Sequence, residues 1–330
     1  MITTLIHPTM RPVRILPKEG RDRIVRQMHG AAMLVNALRR QGLDDCIRLQ
    51  EPLAKYTTFE IGGTAQVMLA PRTEMELQQL IALCARNHVE PLLLGGGSKL
   101  LLVEEVIPVV IAMRNFKTIK VEGSKIYARA GISLTKLIKT AVASGLGGLE
   151  VLSGIPGTLG GALAGNAGSA WDNKNIEIGN FVEEVRIIEK NGSVVTLSKE
   201  QIEFSYRKSS LAGRIISSAV LRLDPVSDTN LLQQRYDASL RKKCDNQPMS
   251  ARSAGCIFKN PAGSAAWKLI QQAGLAGKKI GAAMVSEKHA NFIVNLGGAR
   301  GTEVMELIQL VRRQVKEISG VDLSLEVKIW

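Results

Sequence analysis

The 330-residue chain contains no apolar run approaching the roughly 20 residues that cross a bilayer. Its opening stretch, MITTLIHPTMRPVRILPKEG, has no apolar core of signal-peptide length ending in a small-residue cleavage site. Cysteine is scarce, with Cys46, Cys84, Cys244 and Cys256 scattered and none in a CxxC pair. Only four histidines are dispersed among them, so neither a disulfide framework nor a zinc site is supported. A reducing, cytoplasmic location is expected. Aromatic residues make up 4% of the chain, and there is no aromatic-interleaved basic stripe, RNP-like strand or zinc finger.

What is present is the balance of an ordinary globular protein, 45% hydrophobic and 22% charged, long enough for two or three packed units. The net charge of +13 is uneven. Residues 1–49 hold nine Lys or Arg against four Asp or Glu, and the rest of the surplus is spread without blocks. Such a field favours anionic ligands. Charge alone fits a nucleotide-sized anion and a nucleic acid equally well.

Along the chain, Arg21 to Arg40 spaces Ile24, Val25, Met28, Ala32, Val35 and Leu38 as one helical face. It reads as a membrane-surface or partner helix, as a helix resting on the protein's own body, or as a tail retained from an upstream start codon. From Tyr56 the pattern tightens. A strand at Ala65–Leu69 leads to Thr73-x-x-Glu76, a capping box for a helix reaching about His88. Pro91–Leu94 reads as a short buried strand broken by glycines, and Val109–Met113 as another strand, a βαβ-like unit. A strand at Ile126–Ala130, a Ser133-capped helix stopped by Gly145, a hairpin around Lys190-Asn191-Gly192 and a strand at Ile215–Leu223 follow. Helices are expected at Asn230–Lys243 and Thr302–Ser319, the latter with Val304, Leu307, Ile308, Val311, Val315 and Ile318 on one face. A final strand is expected at Leu323–Ile329.

Two glycine-rich stretches carry the chemical signal. In Gly95-Gly96-Gly97-Ser98, successive N–H groups can wrap a pyrophosphate, although no helix pattern follows directly and, taken alone, the loop reads more readily as a plain strand-to-strand turn. Gly154 to Gly168 packs so many small residues that something flat is expected against its backbone, unless glycine serves close helix–sheet packing. Tyr206-Arg207-Lys208-Ser209 is readable as a polar strand end, Cys256 as a small core residue, and Glu326 as the solvent side of an edge strand.

Taken in order, YTTFEIGG (Tyr56–Gly63), GGGSKLL, IPGTLGGALAGNAG, YRKS, AGCIFKNP, KHANFIVN and LEVKIW resemble the UDP-N-acetylenolpyruvoylglucosamine reductase (MurB) family. The second type is the nearer likeness, because there is no room for the first type's tyrosine-bearing insertion. The likeness runs from about Leu53 to Ile329. It implies an α+β fold: a two-subdomain FAD-binding module of the PCMH/vanillyl-alcohol-oxidase type plus a C-terminal α+β substrate domain. The implied divisions are 50–114, joined by a strand from 321–330, then 115–227 and 228–320. Because the motifs start only near Tyr56 and the composition differs upstream, residues 1–49 are expected to be an appendage dispensable for chemistry.

The resemblance further implies FAD held by Gly95, Gly96, Gly97 and Ser98, with Ile155, Pro156, Gly157, Asn166, Ala167 and Gly168 lining the flavin. It implies catalysis by Arg207, Cys256 and Glu326, and contact of Lys242 or Lys243, Asn260 and His289 with a UDP-sugar. NADPH is the implied reductant. The implied partners are small molecules, with no nucleic acid, no stable membrane insertion and a monomeric state. In that scheme hydride reaches an enolpyruvyl carbon, Arg207 faces the developing enolate, a protonated Glu326 adds a hydrogen bond, and Cys256 protonates carbon. Three departures stand out: Lys99 for the usual asparagine, which would add charge near the pyrophosphate; Ser169-Ala170-Trp171 for alanine-tyrosine-glycine; and Cys256 for serine. A thiol there exposes the enzyme to alkylation or peroxide as far as it ionises. Another FAD oxidoreductase of the same superfamily and an inactive nucleotide- or nucleic-acid-binding protein are the competing readings.

Overall fold

The structure, a computed structural model, describes residues 18–172 and 174–330, with side chains from Arg26 onward. Most of the stretch read for targeting signals, and the side chains of Ile24 and Val25, lie outside the described residues.

The first helix, α1 (Lys18–Arg40), lies on the protein's own body. Ala31, Leu34 and Leu38 have no exposed surface, and Val35 is buried beside them. This i, i+3, i+4, i+7 stripe is rotated from the expected one, so Ala32 faces outward. The stripe joins the core formed by Leu77, Leu80, Val109 and Ile111. Polar contacts fix its position: Gln27 Nε2 donates to the His88 carbonyl at 3.1 Å, and the Glu90 N–H donates to Gln27 Oε1 at 2.8 Å.

The first sheet runs in the order Ile47–Pro52, Thr64–Leu69, Val106–Ala112, Leu92–Leu94, antiparallel at the first pairing and parallel at the others. Helix α2 (Glu74–Arg86) makes the crossover. Thr73 caps it by accepting from the Glu76 N–H at 3.1 Å, while the Glu76 carboxylate reaches the N–H of Arg72 rather than Thr73. A second, five-stranded antiparallel sheet follows the order Val194–Ser198, Val182–Ile188, Ile215–Arg222, Lys125–Arg129, Ile119–Glu122. Helix α3 (Leu134–Ala143) is capped by Ser133, as its sequence predicts. Helix α4 (Leu159–Gly165) was not foreseen, because three glycines depress helix propensity. Thr158 caps it, and Leu159 and Leu163 bury its apolar side. Glu74 ties the two sheets together: its carboxylate accepts from Ser217 Oγ at 2.8 Å and pairs with Arg129 at 3.1 Å and Arg186 at 3.4 Å.

Beyond helix α5 (Thr229–Asn246), strands Ser253–Cys256, Phe292–Asn295, Ala283–Val285 and Lys279–Ile280 form a third sheet. Helices α6 (Ala266–Gln272) and α7 (Gly301–Ser319) pack in this part of the chain. In α7, Val304, Leu307, Ile308, Val311 and Val315 are buried, but Ile318 is 63% exposed, because the last turn overhangs the core that the earlier turns cover. The expected terminal strand is shortened to Lys328–Ile329, parallel to Leu100–Leu101. The Glu326 and Val327 N–H groups both donate to the Ile257 carbonyl, which interrupts a regular ladder at the glutamate.

Helix α1 is therefore a structural layer. Leu38→Ala should lower unfolding free energy by about 2–5 kcal/mol in urea titrations. Ala32→Lys should stay within about 0.5 kcal/mol of the parent chain. Equal effects at the two positions would show that the stripe is misplaced.

Candidate active site

The two glycine-rich stretches face each other. Leu92–Leu94 delivers Gly95–Gly97 against Ile155–Thr158, and a Cβ built on Gly96 would lie 2.6 Å from the Gly157 Cα. Gly97, at φ +62°, presses on the Tyr56 carbonyl. Ser98 Oγ donates to the Pro156 carbonyl at 3.1 Å. The smallness expected to cradle something flat serves loop-on-loop contact at these positions. Among the described residues, the N–H groups of Gly96, Gly97 and Ser98 have no protein acceptor, and the loop is half-buried rather than sealed. A row of unpaired donors at the carboxyl end of a parallel strand suits a pyrophosphate. Pro156 and Gly157 keep exposed surface beside it, and Ile155 and Ala167 are partly exposed.

Asn166 requires a correction. Expected to line the flavin, it has no exposed surface and sits in the left-handed region at φ +44° after α4. Its amide donates to Glu177 Oε2 at 2.5 Å and the Ser205 carbonyl at 3.0 Å, and accepts from the Gly179 N–H at 3.1 Å. With these bonds made inside the protein, Asn166 braces Glu177 and the Ser205 hairpin. Gly168 is likewise buried, and its carbonyl accepts from Arg207 Nη2 at 2.7 Å.

Arg207 sits at the tip of the hairpin joining Phe204–Ser205 to Lys208–Ser209, with φ +53°, a conformation that costs a non-glycine residue strain. Its guanidinium lies over the Tyr206 ring and reaches Glu177 at 3.5 Å and Glu326 at 3.4 Å. Lys99 forms a hydrogen-bonded ion pair with the same Glu326 oxygen. The charge that Lys99 adds therefore goes to Glu326 rather than to the pyrophosphate loop. Glu326 is half-buried between two cations, not the solvent-facing residue of an edge strand. Burial pushes the Cys256 thiol up to about 12, Glu326 adds to the rise, and Lys99 and Arg207 oppose it. The thiol is thus protonated at neutral pH, and the expected vulnerability to alkylation is correspondingly small.

A cleft of about 390 Å³ opens beside Arg207, lined by Ala170, Asn175, Tyr206, Asn260 and Pro261. Ala170 is shared with a second cleft of about 520 Å³, walled by Trp171, Lys242, Lys243, Trp267, Lys288 and His289. Burial, then the neighbouring Lys242, lower Lys243 to about 8. His289 Nδ1 is buried with no hydrogen-bond partner among the described residues, and its ring meets Phe292 edge-on at 4.9 Å. Asn260 spends its carbonyl oxygen on the Ala266 N–H at 3.0 Å. Asn175, Trp267 and Lys288 were not singled out from the sequence, because isolated polar and aromatic residues carry no pattern there. Trp171 was noted only as a departure from the family pattern; here it walls the second cleft.

Among the described residues no group of His, Cys, Asp and Glu could hold a metal ion, and no helix is long and apolar enough to cross a membrane. Residues 65–198 match the family described as "FAD binding domain", and residues 247–330 match "UDP-N-acetylenolpyruvoylglucosamine reductase, C-terminal domain". A Clostridium botulinum protein of that reductase name is 39% identical over 286 residues, 86% of this chain and 92% of its own length. A Moorella thermoacetica protein of the same name is 38% identical, covering 88% and 95%. The crystal structure of the Thermus caldophilus UDP-N-acetylenolpyruvylglucosamine reductase (MurB) superposes with a TM-score of 0.74 at 35% identity, over 86% of this chain and 99% of that one. With a two-part FAD-binding module, a C-terminal α+β domain and this extent of likeness, the chain belongs to the UDP-N-acetylenolpyruvoylglucosamine reductase (MurB) family.

Proposed function

We propose that the chain catalyses the FAD- and NADPH-dependent reduction of UDP-N-acetylenolpyruvoylglucosamine to UDP-N-acetylmuramate, as a cytoplasmic monomer in peptidoglycan precursor synthesis. The observation that carries this reading is the convergence of Arg207, Glu326 and Cys256 in a site whose cleft adjoins a lysine- and tryptophan-walled trough.

FAD would be held by the N–H groups of the Gly95–Ser98 loop, with Ile155, Pro156, Gly157 and Ala167 beside it. Reduced by NADPH, it would supply hydride to the vinyl carbon of the substrate. The remaining work falls to the chain itself. Arg207, held by Gly168 and Glu177, is a fixed cation for the substrate carboxylate as negative charge grows on it. Cys256, protonated at neutral pH, supplies the proton to the adjacent carbon. Lys242, Lys243 and Lys288 offer charge to a diphosphate, and Trp267 and His289 offer ring faces to a base. The purified protein should be yellow, bleach with NADPH and recover its colour on addition of the UDP-enolpyruvyl sugar. Recovery with unrelated alcohols or hydroxy acids instead would assign it to another flavin oxidoreductase.

Three predictions follow from these roles. Arg207→Lys keeps the charge but loses the fork that grips Gly168 and Glu177, so substrate-driven flavin reoxidation should slow about 10²–10³-fold. Flavin reduction by NADPH should be spared, and an equal loss in both half-reactions would reject the role. Cys256→Ala should slow reoxidation by about 10²–10⁴-fold, and Cys256→Ser should restore much of it. Full activity in the alanine variant would end the proton-donor assignment. For Lys243, whose ammonium is lost above about 8, an anionic substrate binds the protonated form. KM should rise by about tenfold per pH unit on the alkaline side of that value. Lys243→Arg should remove the break from the KM–pH profile, and an unchanged break would place the titration elsewhere.

A further inference from the structure

Lys99 belongs to the glycine loop by sequence, yet its side chain turns away from that loop into the acidic heart of the site. The backbone explains why. The Lys99 carbonyl accepts from the Lys328 N–H at 2.9 Å, and the Ile257 carbonyl accepts from the Glu326 N–H at 2.8 Å. Three strands of chain thus lie side by side, with Lys99 on one, Glu326 on the middle one and Cys256 next to Ile257 on the third. Three charged groups act electrostatically on the Cys256 sulfur: Glu326, Lys99 and Arg207. Arg207 is already committed to Gly168, Glu177 and Glu326. Among the described residues the Lys99 ammonium pairs with Glu326 alone, on a flexible four-carbon stem, and 37% of its side chain remains exposed.

We propose that Lys99 is the counter-ion of the Cys256 thiolate, a positioning residue that serves Glu326 at rest and the sulfur once its proton has left. The proposal rests on the reading of Cys256 as proton donor. In that step the S–H bond breaks, its electron pair stays on sulfur, and the proton forms the new C–H bond with the enolate's pair. The product leaves a partly buried anion next to Glu326, and two adjacent anions in a poorly solvated site repel. An ammonium that already touches Glu326 and feels the sulfur offsets that repulsion at the moment the thiolate forms. The thiolate then recovers its proton from solvent.

The test uses the flavin-loaded enzyme and two independent readouts. In stopped flow, Lys99→Met should slow substrate-driven flavin reoxidation by at least about tenfold while leaving NADPH-driven reduction unchanged, and Lys99→Arg should restore the rate because it keeps the charge. The second readout needs no turnover: iodoacetamide labelling of Cys256 at mildly alkaline pH, followed by peptide mass spectrometry, measures the thiolate fraction. Lys99→Met should label at least about tenfold more slowly than the parent, and Lys99→Arg at the parental rate. To separate a direct effect from one relayed by an unpaired carboxylate, both measurements are repeated on Glu326→Gln. Lys99→Met should still slow labelling in that background. Labelling of Lys99→Met/Glu326→Gln at the rate of Glu326→Gln alone would overturn the proposal, reducing Lys99 to an anchor for Glu326. If the parent enzyme failed to reduce the UDP-enolpyruvyl sugar, the functional reading would fall, while the labelling series would still decide whether Lys99 supports the thiolate.

Discussion

The Glu326 carboxylate joins three stretches of chain that are far apart in sequence. Lys99 comes from the glycine loop of the first unit, Arg207 from a hairpin beside the second sheet, and Glu326 from the chain's return to the Leu100–Leu101 strand. Its own N–H is held by Ile257, which sets Cys256 alongside. Such a partly buried ion cluster contributes little net stability, since desolvation offsets much of the attraction. What it contributes is position. With the carboxylate removed, two cations would face each other and the strained Arg207 backbone would lose one of its restraints.

That meeting depends on a steric condition elsewhere. A side chain on Gly96 would run into the Gly157 backbone, and Gly157 itself sits at φ +116°, so this close approach draws the first and second units together at the base of the site. Glu74 holds them at the far side through Ser217, Arg129 and Arg186. The glycines thereby have two consequences from one cause. They allow the contact, and they leave a row of N–H groups with no acceptor among the described residues.

Much of the architecture was legible because it follows local rules. The Thr73 and Ser133 caps, the Gly192 hairpin and the apolar stripe of α7 are encoded within a few neighbouring residues, and each formed near its expected place. The misses share the opposite character. Helix α4 runs through glycines because its cap and two buried leucines outweigh propensity. Ala32 and Ile318 satisfy a helical period yet face solvent, since the period marks a direction and cannot say where the body ends. The terminal strand breaks at Glu326 because two of its N–H groups share one distant carbonyl.

The site divides along the same line. By itself the sequence determined that two glycine loops exist, that seven motifs follow the order of a reductase family, and that Arg207, Cys256 and Glu326 stand within them. Only the tertiary structure decided which of these side chains touch. It withdrew Asn166 from the cofactor surface by satisfying its amide internally, and it turned Lys99 from a phosphate loop toward a carboxylate. It also lifted the Cys256 thiol to about 12 and drew Lys243 down to about 8. The physical reason is that burial and ion pairing depend on groups brought together from more than two hundred positions apart, as Lys99 and Glu326 are, and no local pattern records that distance.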